Sequence, residues 1–373
     1  MTVPFLNLTR GRETYEPAFL KHVEEILSTG IFVLGPKTEE IENRLAERLG
    51  ARHAIACSSG SDGLLLALIA CGVKSKDEVI TTPFTFFATA SAITRLGATP
   101  VFADIDPKTL NLDPEKVAEK INPRTRAIIA VHLYGNPAHL SALGMLAKDH
   151  GLVLIEDAAQ AIDARWEGKP VGAMCDAGML SFYPTKNLSA MGDAGMVLTN
   201  VDSRAEMLRK LRIHGSGPNQ YVHEYIGINA RIDAFQAASL LAKLPLLTKW
   251  NETRIRFAES YNAKFKDLPL QIPRVLPAAE HVYHLYTIRT PRRDKLQKFL
   301  NGRGIGCCVY YPLPLHLQPC FASLGYEEGD FPEAELASRE VLNLPCYPYL
   351  SDTEHEEVIE AVRDFFNSGG QSE

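Results

Sequence analysis

The chain has 373 residues, a formal net charge of −6, 46% hydrophobic residues and 23% charged residues. This is an ordinary soluble globular composition, long enough for a large core and about two domains. The mild acidity and the lack of a basic block give no reason to expect a nucleic-acid partner. No apolar stretch reaches the roughly 18–20 residues that span a bilayer, so no membrane is expected.

The amino terminus, Met1-Thr2-Val3-Pro4-Phe5, lacks a basic start followed by an apolar run, so no signal peptide is evident. The 7 cysteines are scattered and odd in number, which suits a reducing cytoplasm better than a disulfide framework. Cys307-Cys308 are sequence neighbours and cannot alone make a tetrahedral zinc site, so no metal is expected.

From about Ala54 the pattern alternates strand and helix. Strands are expected at Ala54–Cys57, Glu78–Thr81, Thr99–Asp104, Ala127–Val131, Leu152–Glu156, Ala177–Phe182 and Ala194–Thr199. Helices are expected from Ser58 to Ala70, Phe87 to Leu96, Pro114 to Ile121 and Leu140 to His150. Continuous apolar strands between amphipathic helices argue for an α/β domain, a mostly parallel sheet covered on both faces. Ligands of such sheets sit at the carboxyl ends of the strands.

A helix follows at Ile232–Lys243, with Pro245 kinking it or opening the next, and a longer one at Trp250–Phe265. After Pro269 the texture becomes that of a smaller α+β unit. It has strands at Tyr286–Thr290 and Cys308–Tyr311, and helices at Asp294–Asn301 and Thr353–Phe366. The expected division is therefore 1–245 for the large domain, with an N-terminal arm, and 246–373 for the small one. Ser368–Glu373 reads as disordered.

Two strand ends carry the chemistry. Leu152–Ile155 runs into Glu156-Asp157-Ala158-Ala159-Gln160, and Ala177–Phe182 runs into Tyr183-Pro184-Thr185-Lys186-Asn187. A lysine and an acid so placed are what a pyridoxal phosphate site requires. The lysine binds the aldehyde covalently, and the acid keeps the pyridine nitrogen protonated so that the ring is an electron sink. Singly, Asp157 reads equally as a helix cap and Lys186 as a surface lysine. Jointly, each follows a buried strand where a charge is costly without a partner.

Ser58-Ser59-Gly60-Ser61-Asp62-Gly63 opens a helix, and a helix start offers free N–H groups to a phosphate. Simple capping is the alternative. Ser181 is placed to add a hydroxyl to a phosphate cup. Of Phe84, Phe86 and Phe87, two are expected to pack and one to stack on a planar ligand. Asn229 or Asp233 reads as a cap. Tyr310-Tyr311-Pro312-Leu313-Pro314-Leu315-His316 is a proline-locked loop whose two phenols and imidazole suit sugar or nucleotide contacts.

Together Gly35-Pro36, Ser59–Leu68, Pro83-Phe84-Thr85-Phe86, Ile155–Ala161, Ser181–Leu188, Gly227–Ala238 and Tyr311–Pro319 resemble the DegT/DnrJ/EryC1/StrS family, over essentially the whole chain. These are nucleotide-sugar aminotransferases of aspartate-aminotransferase-like fold (PLP fold type I). The resemblance implies that Lys186 carries the cofactor and shuttles the proton, that Asp157 partners the pyridine nitrogen and that Gln160 bonds the ring hydroxyl. It places Gly60, Ser61 and Ser181 in the phosphate cup and Phe86 on the ring. Asn229 would reach the phosphate from the other subunit, making a homodimer with shared active sites. Tyr310, Tyr311, His316 and Arg231 are the implied substrate contacts, Arg231 for a carboxylate or diphosphate.

Ser189 and Ala194 depart from the family's usual glycines, and a dehydrating branch that replaces the lysine with histidine is not matched. The implied reaction moves the amino group of L-glutamate to a nucleotide-linked ketosugar. The run from Gln236 to Arg254 is similar to the branch acting on 3-keto sugars, which favours C3 of a dTDP- or UDP-3-ketohexose over C4. Tyr310 stands where a uronate-using relative has histidine, which favours a neutral deoxysugar. A catalytically silent binding or regulatory relative is the contrasting expectation, and intact Lys186, Asp157 and Gln160 speak against it.

Overall fold

A computed structural model of the protein describes residues 2–219 and 221–367. The Ser368–Glu373 expectation lies outside them. Two helices come first, α1 (Glu16–Thr29) and α2 (Pro36–Leu49). Then follow β1 (His53–Cys57), α3 (Gly60–Ala70), β2 (Glu78–Thr81), α4 (Ala88–Arg95), β3 (Thr99–Phe102), α5 (Pro114–Lys120), β4 (Thr125–Val131), α6 (Leu140–His150) and β5 (Val153–Asp157). Two short strands, β6 (Arg165–Trp166) and β7 (Lys169–Pro170), precede β8 (Ala177–Ser181), β9 (Gly195–Thr199), α7 (Asp202–Leu211) and α8 (Ala234–Lys243).

The main sheet has seven strands in the order β1-β9-β8-β5-β4-β2-β3. All pairs are parallel except the two that β9 makes with β1 and β8. Alternate residues face opposite sides, as the two-residue strand period requires. Ile80, Ile128, Leu154 and Leu180 join the core under α2, α6 and α8, where Ile41, Leu45, Leu143 and Leu240 meet them. Ile55, Val79, Ile129, Ile155 and Val197 join the core under α3, α4 and α7, with Leu64, Ile93 and Leu208. Each such side chain, fully buried, contributes about 1.5–3 kcal/mol. The result is a three-layer α/β sandwich.

Pro245 ends α8 in a single tight turn, Leu244–Leu246, and α9 (Leu247–Phe265) starts at once. Beyond it lie β10 (Ala279–Glu280), β11 (Tyr286–Arg289), α10 (Arg293–Gly302), α11 (Pro332–Glu340), β12 (Val341–Leu344) and α12 (Asp352–Asn367). The antiparallel pair β11–β12 packs with α9, α10 and α12 around Phe257, Tyr261, Tyr286, Leu300 and Val362, a second core. β10 pairs back onto β6.

One expected strand is corrected. Cys308–Tyr311 makes only an isolated bridge, Cys308 to Asn343, because the chain turns into the proline-rich loop instead of running alongside β12. The N-terminal arm crosses the second core. Val3 pairs with Ile305, and the Arg10 guanidinium grips Glu354 at 2.6 and 2.7 Å.

Candidate active site

The site is assembled where β1, β5 and β8 end. Asp157 closes β5 and is 5% exposed. Its Oδ2 accepts from the Thr89 hydroxyl at 2.8 Å and its Oδ1 from the Ala159 N–H at 3.2 Å. Burial pushes its carboxyl pKa up, while those two hydrogen bonds and the Lys186 charge pull it down. Lys186, half-buried in the turn after β8, is pushed down to about 8 by burial, with Asp157 opposing. The two charges sense each other but make no direct ion pair among the described residues.

The turn that carries Lys186 is clamped from below. Asn187, 4% exposed, donates to Asn251 Oδ1 at 2.8 Å and pairs with His284 Nδ1 at 3.0 Å. Lys186 N–H donates to the Tyr183 carbonyl at 2.8 Å.

Ser59 caps α3 by accepting from the Asp62 N–H at 3.1 Å. The capping alternative is therefore realised, but it uses only one donor. The amides of Gly60 and Ser61 have no partner among the described residues. Close approach explains the glycines. A Cβ on Gly60 would lie 2.8 Å from Ser181 Cβ, and one on Gly195 would lie 2.4 Å from the Ser59 carbonyl carbon. The α3 start thus sits directly against the β8 end, with the Ser181 hydroxyl beside the free amides.

The far wall is aromatic. Gln160 accepts from the Tyr134 N–H at 2.6 Å and donates to Tyr311 Oη at 3.1 Å. Burial raises the Tyr311 pKa well above the ordinary phenol, against the Gln160 bond. Tyr134 Oη donates to the Tyr310 carbonyl, and Leu315 N–H to the Pro83 carbonyl at 2.7 Å, so the proline-locked loop is tied to the Phe84–Phe86 segment. Phe86 is 55% exposed and 6.2 Å from the Tyr311 ring; Phe84 is fully buried. Phe87, 43% exposed, packs its ring against Phe321 at 5.6 Å.

Three residues fall outside this cleft. The His316 ring is 1% exposed and pairs with Glu335 at 3.1 Å beneath Phe331, so its place as a substrate contact is corrected to an interior packing role. Asn229 and Arg231 are exposed, bonded to each other at 3.0 Å, and contact none of the residues above.

Sequence reasoning missed Thr89, Tyr134, His132 and Asn251. Thr89 bonds the Asp157 carboxylate and the Tyr134 N–H bonds Gln160, and no local pattern marks either. His132 directly follows β4 and pairs with Glu156 at 3.1 Å. A histidine at a buried strand end was a readable signal. Among the described residues no group of three or more His, Cys, Asp or Glu is arranged to hold a metal ion.

Residues 14–363 match the DegT/DnrJ/EryC1/StrS aminotransferase family. The chain belongs to this family. It is 48% identical to a "Pleiotropic regulatory protein" of Geobacillus stearothermophilus, over 98% of this chain and 99% of that one. It is 42% identical to the dTDP-3-amino-3,4,6-trideoxy-alpha-D-glucose transaminase of Streptomyces venezuelae, over 97% of this chain and 96% of that one. The crystal structure of S. venezuelae DesV superposes with a TM-score of 0.95 at 41% identity, covering 97% of this chain and 98% of that one. The fold is that of the pyridoxal-phosphate-dependent aminotransferases, and pyridoxal 5′-phosphate is the family's cofactor. The residues fit it. They offer free amides and a hydroxyl for a phosphate, a lysine of lowered basicity for an aldehyde, and a buried carboxylate for a ring nitrogen.

Proposed function

We propose that the protein transfers the amino group of L-glutamate to the keto carbon of a nucleotide-linked sugar, releasing the 2-oxo acid. The favoured acceptor is C3 of a dTDP- or UDP-3-ketohexose, in deoxyaminosugar or surface-polysaccharide synthesis. The observation that carries this reading is Lys186, lowered in basicity, in the same cleft as buried Asp157 and next to the glycine cradle at Gly60.

When bound, pyridoxal phosphate supplies the electron sink that lets a C–H bond beside nitrogen ionise. The chain does the rest. Gly60 and Ser61 amides with the Ser181 hydroxyl hold the phosphate. Asp157, fixed by Thr89 and Ala159, holds a proton on the ring nitrogen. Gln160 addresses the ring hydroxyl, and the exposed Phe86 ring covers a face. Lys186 Nζ takes the proton from the donor's α-carbon and delivers one to the sugar carbon, acid–base help worth about 10²–10⁴ in rate. Tyr310 and Tyr311 orient the sugar.

Asn229 and Arg231 act from the partner subunit of a homodimer on this reading. Their exposure supports it, as do the outward-facing Phe32, Val33, Tyr183 and Ile226 side chains, 47%, 47%, 53% and 98% exposed. A cytoplasmic setting agrees with the free state of all 7 cysteines. Among the described residues no helix is long and apolar enough to cross a membrane.

Borohydride reduction and peptide mapping should place the cofactor on Lys186, and Lys186→Ala should lose turnover completely while keeping its fold. Cofactor found on another lysine would overturn the site. NMR of the product formed from 3-keto and 4-keto dTDP- and UDP-sugars reads which carbon gains nitrogen; a 4-amino product alone would replace C3 by C4. The regulatory name borne by the 48% identical relative keeps a silent binding protein in view. A visible band that glutamate fails to bleach would favour it.

A further inference from the structure

Next to Lys186 the chain lines a part-open cavity of about 250 Å³. Its lining holds four cations, Arg10, Lys186, Lys243 and Arg254, and no acid. Arg10 is neutralised by Glu354 in a bidentate pair. Lys243 and Arg254 are not neutralised. Lys243, 5% exposed, donates to the Ser189 carbonyl at 2.9 Å and Ser189 Oγ at 3.3 Å, and lies 4.9 Å over the Tyr15 ring. Arg254, 4% exposed, donates from Nη1 to the carbonyls of Cys346, His284 and Tyr283, and its Nε is buried with no partner. Neither has an acid within ion-pair reach among the described residues.

Two buried cations facing one small cavity without a counter-charge are costly to fold. The arrangement is explained if an anion arrives with the substrate. At about 250 Å³ the cavity has room for an amino acid beside Lys186.

We propose that this cavity is the amino-donor subsite, in which Lys243 and Arg254 hold the distal carboxylate of a dicarboxylic amino acid whose amino group lies beside Lys186. This rests on the aminotransferase reading and adds the reason for its donor choice. The Ser189 carbonyl and hydroxyl together anchor Lys243 at the cavity wall. The shared chemistry is a compact carboxylate or phosphate anion, so the test separates the two sources.

The holoenzyme is titrated with glutarate, butyrate and UDP or dTDP, read by the fluorescence of Trp250, which lines the cavity. In parallel, bleaching of the cofactor band is followed with L-glutamate and with L-norvaline, which lacks the distal carboxylate. Glutarate should shift the signal and butyrate should not. Lys243→Met should lower the preference for glutamate over norvaline about 10- to 100-fold, the worth of one lost charge-assisted hydrogen bond. Lys243→Arg should restore most of that preference.

An unchanged preference in Lys243→Met, or no glutarate response in the unaltered protein, overturns the proposal. So does a nucleotide response that Lys243→Met abolishes while glutarate has no effect. The unaltered protein reports separately on the parent reading: if no amino acid bleaches its band, the aminotransferase assignment fails, whatever glutarate does.

Discussion

Glu156 and Asp157 are adjacent acids on one strand, both essentially buried, and they face opposite sides of the sheet. Glu156 accepts from the N–H groups of Gly172, Met174 and Cys175 at 2.6, 2.8 and 2.9 Å, and pairs with His132. Its hydrogen-bonding capacity is consumed by the protein. Asp157 receives one hydroxyl and one N–H, with Lys186 near but not paired. Equal burial of equal chemistry therefore yields an anchor on one face and an acid with capacity to spare on the other. The number of fixed donors separates them, not depth.

Substitutions at the two positions should break this symmetry in opposite ways. Asp157→Asn should leave folding nearly intact and slow the glutamate half-reaction at least about 100-fold, the equivalent of ~3 kcal/mol of lost charge pairing. Stopped-flow bleaching of the cofactor band measures it, and a near-normal rate would end the distinction. Glu156→Gln places an amide donor against backbone donors. It should cost about 2–4 kcal/mol of stability, seen as a melting temperature several degrees lower, with a much smaller loss of rate in the molecules that remain folded.

The smallest effect is a titration. Lys186 attaches a cofactor only as the neutral amine. Its pKa of about 8 means that covalent capture by the cofactor-free chain should rise with pH through about 8, not through the ordinary lysine range. A nearby carboxylate stabilises the protonated amine, so Asp157→Asn should move that midpoint lower. Glu156→Gln, on the other face, should leave it in place. Absorbance at the imine band against pH reads all three proteins.

The parallel strands of the main sheet were legible because their apolar runs are long and end in polar turns. Lys186, Asp157 and Gly60 were legible because each stands at such an end. Less visible were features fixed only by neighbours in space. Helix α2 has Ile41, Leu45 and Leu49 at helical spacing between Gly35-Pro36 and Gly50, a readable signal that the strand–helix alternation after Ala54 overshadowed. His316 looked like a loop residue beside prolines, and only the approach of Glu335 and Phe331 shows it to be interior. Cys308–Tyr311 has strand-forming residues, yet tertiary ties from Tyr134 and Asn343 hold it as a bent segment.

The grip of Arg10 on Glu354 has a consequence for the order of manufacture. Leu6, Asn7 and Leu8 wall the cavity beside Lys186, but their clamp lies in the last helix. Ribosomes deliver the arm first and its fastening about 340 residues later. Until then the arm rests on its Val3–Ile305 pairing without the Arg10 clamp, and the wall it gives the cavity is not fastened. Completion of the catalytic chamber is accordingly a post-translational event, and a nascent chain arrested before Glu354 should hold its main sheet without a fastened amino-acid compartment.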